Sequence, residues 1–171
     1  MTYVARQEPR AFALLVERHH ERFYAFCYRF FWNRQDAEDA VQDSFLNLWT
    51  KGVSWNAKKA TKFTTWFFRI LIHRCLDLRK KKRALLFEKA GQEDQVAAAA
   101  GGETQGDTGA QVAASLITLP ENQQLAINLC FYEGLRNQEA AEVMGVGLKA
   151  LQSLLMRGKE SLRKRLGGGL A

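Results

Sequence analysis

Apolar positions in the first ninety residues recur every three or four places, the spacing of one face of a helix. Phe12, Leu15, Val16, His19, Phe23, Phe26 and Phe30 predict a long amphipathic helix over roughly residues 8–32. A polar break at 33–36 follows, with Asp36 placed to cap the next helix over 36–49. That helix would bury Ala37, Ala40, Val41, Ser44 and Leu48. Residues 51–62 read as a lysine-rich loop, and Phe63, Trp66, Phe67, Ile70 and Leu71 begin another helix that ends in the basic run 79–83. Between 91 and 115 the chain turns to Ala, Gly and Gln with no Leu, Ile, Phe or Trp, the composition of a flexible linker. Thr118 to Glu121 then predicts a capping box with Pro120 in the first turn, opening a helix through Leu125, Ile127 and Leu129 that stops at Gly134.

Residues 137–156 read as two short helices broken at Gly145. Asn137 is suited to cap the first, and Ala140, Ala141 and Met144 share one face of it. Gly145 can take the left-handed backbone that ends a helix, and Val146 would fill the corner. Leu148, Leu151 and Leu155 make an inward stripe on the second helix, leaving Lys149, Gln152, Ser153 and Met156 to look outward. This is the helix-turn-helix pattern, whose outward face enters a DNA major groove. The same spacing suits a helical hairpin that only packs. Further along, Arg157 and Lys159 are placed as phosphate contacts, and Leu162 and Leu166 extend the apolar stripe.

Charge sharpens the picture. The chain has 171 residues and a net charge of +7. Residues 1–90 hold 18 Lys+Arg against 9 Asp+Glu, whereas residues 91–118 hold 4 acids and no base. A basic body suggests a polyanionic partner. Within it, Glu38, Asp39, Gln42 and Asp43 lie along one side of the 36–49 helix. The helix dipole accounts for acids in the first turn, but less well for Asp43, so a docking face for a partner is the sharper reading. Aromatic side chains interleaved with lysines around Trp55 and Phe63 suit unstacked bases and the phosphates between them. Three widely spaced cysteines, Cys27, Cys75 and Cys130, do not form a metal or disulfide pattern. No apolar run approaches a membrane span, and the first ten residues lack a signal-peptide core. A cytoplasmic protein with no membrane insertion is therefore expected. Neither a cofactor site nor an enzymatic nucleophile–base pair is expected.

Taken in order, these stretches resemble a bacterial sigma factor of the extracytoplasmic-function (ECF) group of the sigma-70 family. Asp-Ala-Glu-Asp-Ala-Val-Gln-Asp-Ser-Phe at 36–45 resembles the family's core-binding helix. Phe63-Thr-Thr-Trp-Phe-Phe-Arg-Ile, with Asp77 and Arg79, resembles its minus-ten segment, and Leu119 to Leu166 its minus-thirty-five domain. The resemblance implies an all-α fold of two small helical domains: a region-two-like domain over 1–90, a flexible acidic linker over 91–117 and a region-four-like helix-turn-helix domain over 118–171. It implies core RNA polymerase, promoter DNA and an anti-sigma factor as partners, with nucleoid association when bound to polymerase.

Residue roles follow from the same resemblance. Asp39, Gln42, Asp43 and Phe45 would dock on polymerase. Trp55, Lys58, Lys59, Lys62, His73, Arg79, Lys80 and Arg83 would hold the minus-ten DNA. Lys149, Gln152, Ser153 and Arg157 would contact the minus-thirty-five element. Two positions depart from the family pattern: His73 stands where Asn is common, and Gly147 where a Ser or Thr usually caps the recognition helix. The competing reading is a stand-alone helix-turn-helix regulator using only residues 119–166, which leaves the acidic helix and the Trp/Lys segment without a role.

Overall fold

The computed structural model describes residues 8–50, 62–90 and 107–167. Every regular element among them is helical: α1 (Pro9–Phe31), α2 (Arg34–Thr50), α3 (Phe63–Ala90), α4 (Asp107–Ile117), α5 (Glu121–Ile127), α6 (Asn137–Met144) and α7 (Leu148–Gly167). The fold is all-α, with α1–α3 forming one block and α4–α7 a second.

The first block is organised around phenylalanine. Phe23 of α1 meets Phe67 at 4.6 Å and Phe68, edge-on, at 5.3 Å, while Phe45 of α2 meets Phe67 at 4.9 Å. All four rings are buried. Such pairs contribute about 0.5–1.5 kcal/mol each beyond the area they bury. On α2, Ala37, Ala40, Val41, Ser44 and Leu48 are all buried, the face that the sequence predicts. Ser44 escapes an unsatisfied hydroxyl by donating to the Ala40 carbonyl at 2.7 Å. Proline stands at the N-terminus of α1, where its missing N–H costs no bond. At the other end Trp32 adopts a left-handed φ of 52° and donates its N–H to the Tyr28 carbonyl. Asn33, rather than Asp36, caps α2: its Oδ1 accepts the Asp36 N–H at 3.0 Å.

The second block departs from expectation at its start. Residues 107–117, assigned by composition to the linker, form α4 instead. Alanine is the best helix former as well as a common linker residue, and Ala113 and Leu116 give α4 a buried face. The Thr118 capping box does not form. The Thr118 hydroxyl donates to Ser115 at 2.8 Å, and Pro120 precedes α5 with no side-chain cap. After α5 a π-helical turn spans Asn128–Tyr132. Around α6 the sequence reading holds: Gly145 takes φ 67° and ends the helix. Arg136, not Asn137, occupies the cap position, its N–H bonded to the Glu139 carboxylate at 3.0 Å.

The two blocks also touch one another through polar side chains. Gln124 Nε2 donates to the Arg29 and Phe30 carbonyls at 3.1 and 3.0 Å, and Asn128 Nδ2 to the Phe26 carbonyl at 3.0 Å. The carbonyls of Arg29 and Phe30 belong to the last turn of α1, whose acceptors have no partner within the helix. Side chains of the second block therefore complete the C-terminus of α1.

Candidate partner and nucleic-acid interfaces

Three outward surfaces carry the chemistry. The first lies on α1 and α2, where an open groove of about 590 Å³ is lined by Phe12, Val16, Asp43, Phe45, Leu46 and Trp49. Leu46 is 57% exposed beside it. Gln42 is exposed at its rim, while Asp39 and Asp43 are half-exposed. Asp39 accepts from Gln35 at 3.0 Å, and Asp43 forms an ion pair with Arg74 of α3. One carboxylate, that of Asp43, thus stands in the groove next to apolar surface without being drawn under it. Phe45 is the exception among the residues assigned to docking. It is 5% exposed and packs on Phe12, Phe23 and Phe67, so it supports the groove from beneath.

The second surface is the outward side of α3. Arg69, His73, Asp77 and Lys80 are exposed along it, as the helical spacing predicts. Lys62 is exposed just before the helix, whereas Trp55, Lys58 and Lys59 lie outside the described residues. Arg83 is 62% exposed, yet its guanidinium reaches Glu121 at 3.1 Å. Arg79 departs further from its assigned role. It lies over the Phe30 ring at 3.6 Å, donates to the Phe30 carbonyl and to Gln124 Oε1, and is only 16% exposed. Burial pushes its pKa down from the ordinary arginine value. Here Arg79 joins the two blocks instead of presenting itself to a phosphate.

The third surface is the outer face of α7. Lys149, Gln152, Met156 and Arg157 are exposed on it and Ser153 is half-exposed, its hydroxyl turned to the Lys149 carbonyl at 3.0 Å. Leu151 and Leu155 are buried on the opposite side, but Leu148 is 40% exposed and drops out of the expected inward stripe. Lys159 sits over the Phe131 ring at 4.6 Å. At Gly158 α7 comes close to α5: an added Cβ there would lie 2.8 Å from Ile127 Cδ1.

Comparison with protein families bears on both blocks. The model for Sigma-70 region 2 matches residues 15–85, and that for Sigma-70, region 4 matches residues 110–162. The chain belongs to the sigma-70 family. Its curated relatives place it in the ECF group. It is 32% identical over 157 residues to the ECF RNA polymerase sigma factor SigE of Mycolicibacterium smegmatis, covering 89% of this chain and 60% of SigE. To SigW of Bacillus subtilis it is 27% identical over 177 residues, covering 95% of this chain and 92% of SigW. Among solved structures it is similar to CnrH, in a complex with the cytosolic domain of CnrY, with a TM-score of 0.71 at 26% identity over 98% of this chain and 94% of that one. The chain thus spans about three fifths of the length of SigE but nearly all of SigW and CnrH.

For a sigma-70 family member the first block, and not the helix-turn-helix alone, needs a role. A stand-alone regulator built on residues 119–166 would leave the region-two match unused. The sequence reading of this sigma factor missed the residues between the blocks. The Glu133 side chain is 4% exposed, receiving Arg22 Nε at 2.8 Å and an ion pair from Arg29. Burial lowers the Arg29 pKa, while the Glu133 carboxylate opposes that shift. It also missed the juxtaposition of Cys27 and Cys75, buried side by side with sulfurs 3.7 Å apart. Burial raises the Cys27 thiol well above its ordinary pKa, which suits an inert pair of small hydrophobes.

Proposed function

We propose that this chain is a promoter-specificity subunit that confers promoter recognition and strand opening on core RNA polymerase. The observation that carries the reading is an exposed apolar groove on α1 and α2 with Gln42 and Asp43 in its lining, in a chain whose other block presents an outward-facing helix of a helix-turn-helix. The groove, with Gln42, Asp43 and Leu46, is the docking surface for polymerase. The outward side of α3, with Lys62, His73, Lys80 and Arg83, faces the melted strand. Bases held unstacked there would favour the open duplex. Lys149, Gln152, Ser153 and Arg157 on α7 contact the upstream element, where paired side-chain and phosphate contacts combine position with readout.

The chain itself is a non-catalytic factor that works in the cytoplasm and at the nucleoid with polymerase. Its regulator is an anti-sigma protein, as the resemblance to ECF sigma factors implies; the similar CnrH is known in a complex with the cytosolic domain of CnrY. Among the described residues no helix is long and apolar enough to cross a membrane. The test is transcription from genomic fragments by purified core polymerase with and without the chain. New starts that depend on the chain are expected, and their absence would remove the reading. Asp43→Arg places a second cation against Arg74 and is expected to abolish co-purification with core polymerase at unchanged helicity. Undiminished co-purification would discard the docking assignment.

A further inference from the structure

Beyond Arg79, residues 80–88 of α3 are exposed without a break. About 3.6 residues complete a helical turn, so Lys80, Lys81, Lys82 and Arg83 ring the whole circumference with positive charge. The next turn, Ala84 to Phe87, rings it with apolar groups: Leu85 is 57%, Leu86 43% and Phe87 80% exposed. The other large apolar side chains exposed among the described residues stand singly or, at Phe131 and Tyr132, as a pair. Three in a row mark a surface that meets something apolar. Lys82 and Arg83 are held by Asp36 and Glu121. Lys80 and Lys81 have no partner among the described residues.

We propose that this collar of cations and the apolar tip beyond it adsorb to the surface of a bilayer rich in anionic phospholipid. A second copy of the chain would set four cations against four. Nucleic acid answers the cations, and Phe87 can stack on a base, but Leu85 and Leu86 would stay in water. A folded partner reaches one side of a helix, whereas these apolar groups point to every side. Lipid answers both features: headgroup phosphates take the collar, and fluid acyl chains close around the tip from all directions. The tip lies about 6 Å beyond the collar along the helix axis, within the roughly 5–10 Å to which interfacial apolar side chains sink. Glu88, exposed after the tip, limits the contact to this one turn. The contact is adsorption and not a span, since no described helix is long and apolar enough to cross a membrane. On the promoter reading Lys80 and Arg83 also serve the melted strand, so an adsorbed chain is withdrawn from DNA; only this consequence rests on that reading.

Flotation of the full chain with vesicles of phosphatidylcholine, alone or mixed equally with phosphatidylglycerol, tests the proposal. The chain should float with the mixed vesicles and stay behind with phosphatidylcholine alone. Leu85→Gln/Leu86→Gln/Phe87→Gln keeps every charge and should lower partitioning at least about tenfold. Lys80→Gln/Lys81→Gln should lower it as well, more at low salt than at high salt. Absence of flotation, or equal flotation with both vesicles, overturns the proposal. So does adsorption that the triple variant leaves unchanged, which is the attraction of any basic protein for a polyanion. If the triple variant loses helicity, Phe87→Gln alone must lower partitioning at least about threefold, or the proposal falls. A wild type that does not float, with a triple variant that loses affinity for a single-stranded oligonucleotide, would assign the tip to nucleic acid instead. Flotation involves neither polymerase nor promoter, so a failure of the promoter reading leaves its result standing.

Discussion

Gly158 sets how closely the recognition helix approaches the helix beneath it, and replacing it puts two opposing effects in competition. In an exposed helix, Gly→Ala stabilises by roughly 0.5–1 kcal/mol because alanine has less backbone freedom to lose. At Gly158 the new methyl would meet Ile127 Cδ1 at 2.8 Å, with Ile127 Cγ1 and Gln123 Cβ at 3.5 Å. Ile127 is 4% exposed, so its terminal methyl has little room to move. Overpacking of this kind costs about 1–3 kcal/mol, and the net expectation for Gly158→Ala is a loss of up to ~2 kcal/mol, taking the propensity gain away from the overpacking cost.

Urea denaturation followed by circular dichroism measures the sum, and a second substitution identifies the cause. Ile127→Val removes the atom in conflict, itself costing about 0.5–1.5 kcal/mol. In that background Gly158→Ala should become stabilising by about 0.5 kcal/mol or more. The double-mutant cycle should therefore show a favourable coupling of about 1 kcal/mol or more, within the range for residues in contact. A stabilising Gly158→Ala in the wild-type background, or no coupling to Ile127, would refute the close-approach argument.

Three further outcomes are expected. Lys149→Ala should weaken binding of polymerase holoenzyme to the upstream element by about 1–3 kcal/mol if Lys149 reads a base; unchanged footprinting affinity removes that role. Phe67→Ala, in the middle of the ring cluster, should cost about 3–5 kcal/mol in denaturant titration, and a loss below about 1 kcal/mol would mean the cluster collapses around the gap. His19 is held below its ordinary pKa first by burial and then by Arg18 and Arg22. Its contribution is complete above about pH 6.5 and lost as pH falls through the lower folded pKa. The thermal midpoint should drop on acidification from pH 7 to 5, and drop less in His19→Gln; equal drops would exclude His19 as the cause.

Much of the first block was legible because its signal is periodic and apolar. Phe12 to Phe30 spell one helix face, and the small buried side of α2 follows from Ala37, Ala40 and Val41. The helix-turn-helix was legible for another reason: Gly145 must sit where a left-handed residue ends α6, which fixes the phase of α7 and so the outward set Lys149, Gln152 and Arg157. Other features left no such trace. Alanine carries little phase information, so α4 read as linker. Gln124, Asn128 and Glu133 look like solvent-facing residues until α1 supplies their partners. Arg79 sits in a run of five bases, and nothing in the run distinguishes the one that folds back over Phe30.

The same contrast bears on how the molecule works. Breaking the first block apart would expose rings that are fully buried, and each lost ring costs several kcal/mol. The two blocks share one apolar cluster, and amides and guanidinium–carboxylate contacts lie beside it. Buried ion pairs add little net stability because desolvating both charges offsets most of their attraction. What they do impose is geometry, since Glu133 is satisfied only when Arg22 and Arg29 face it together.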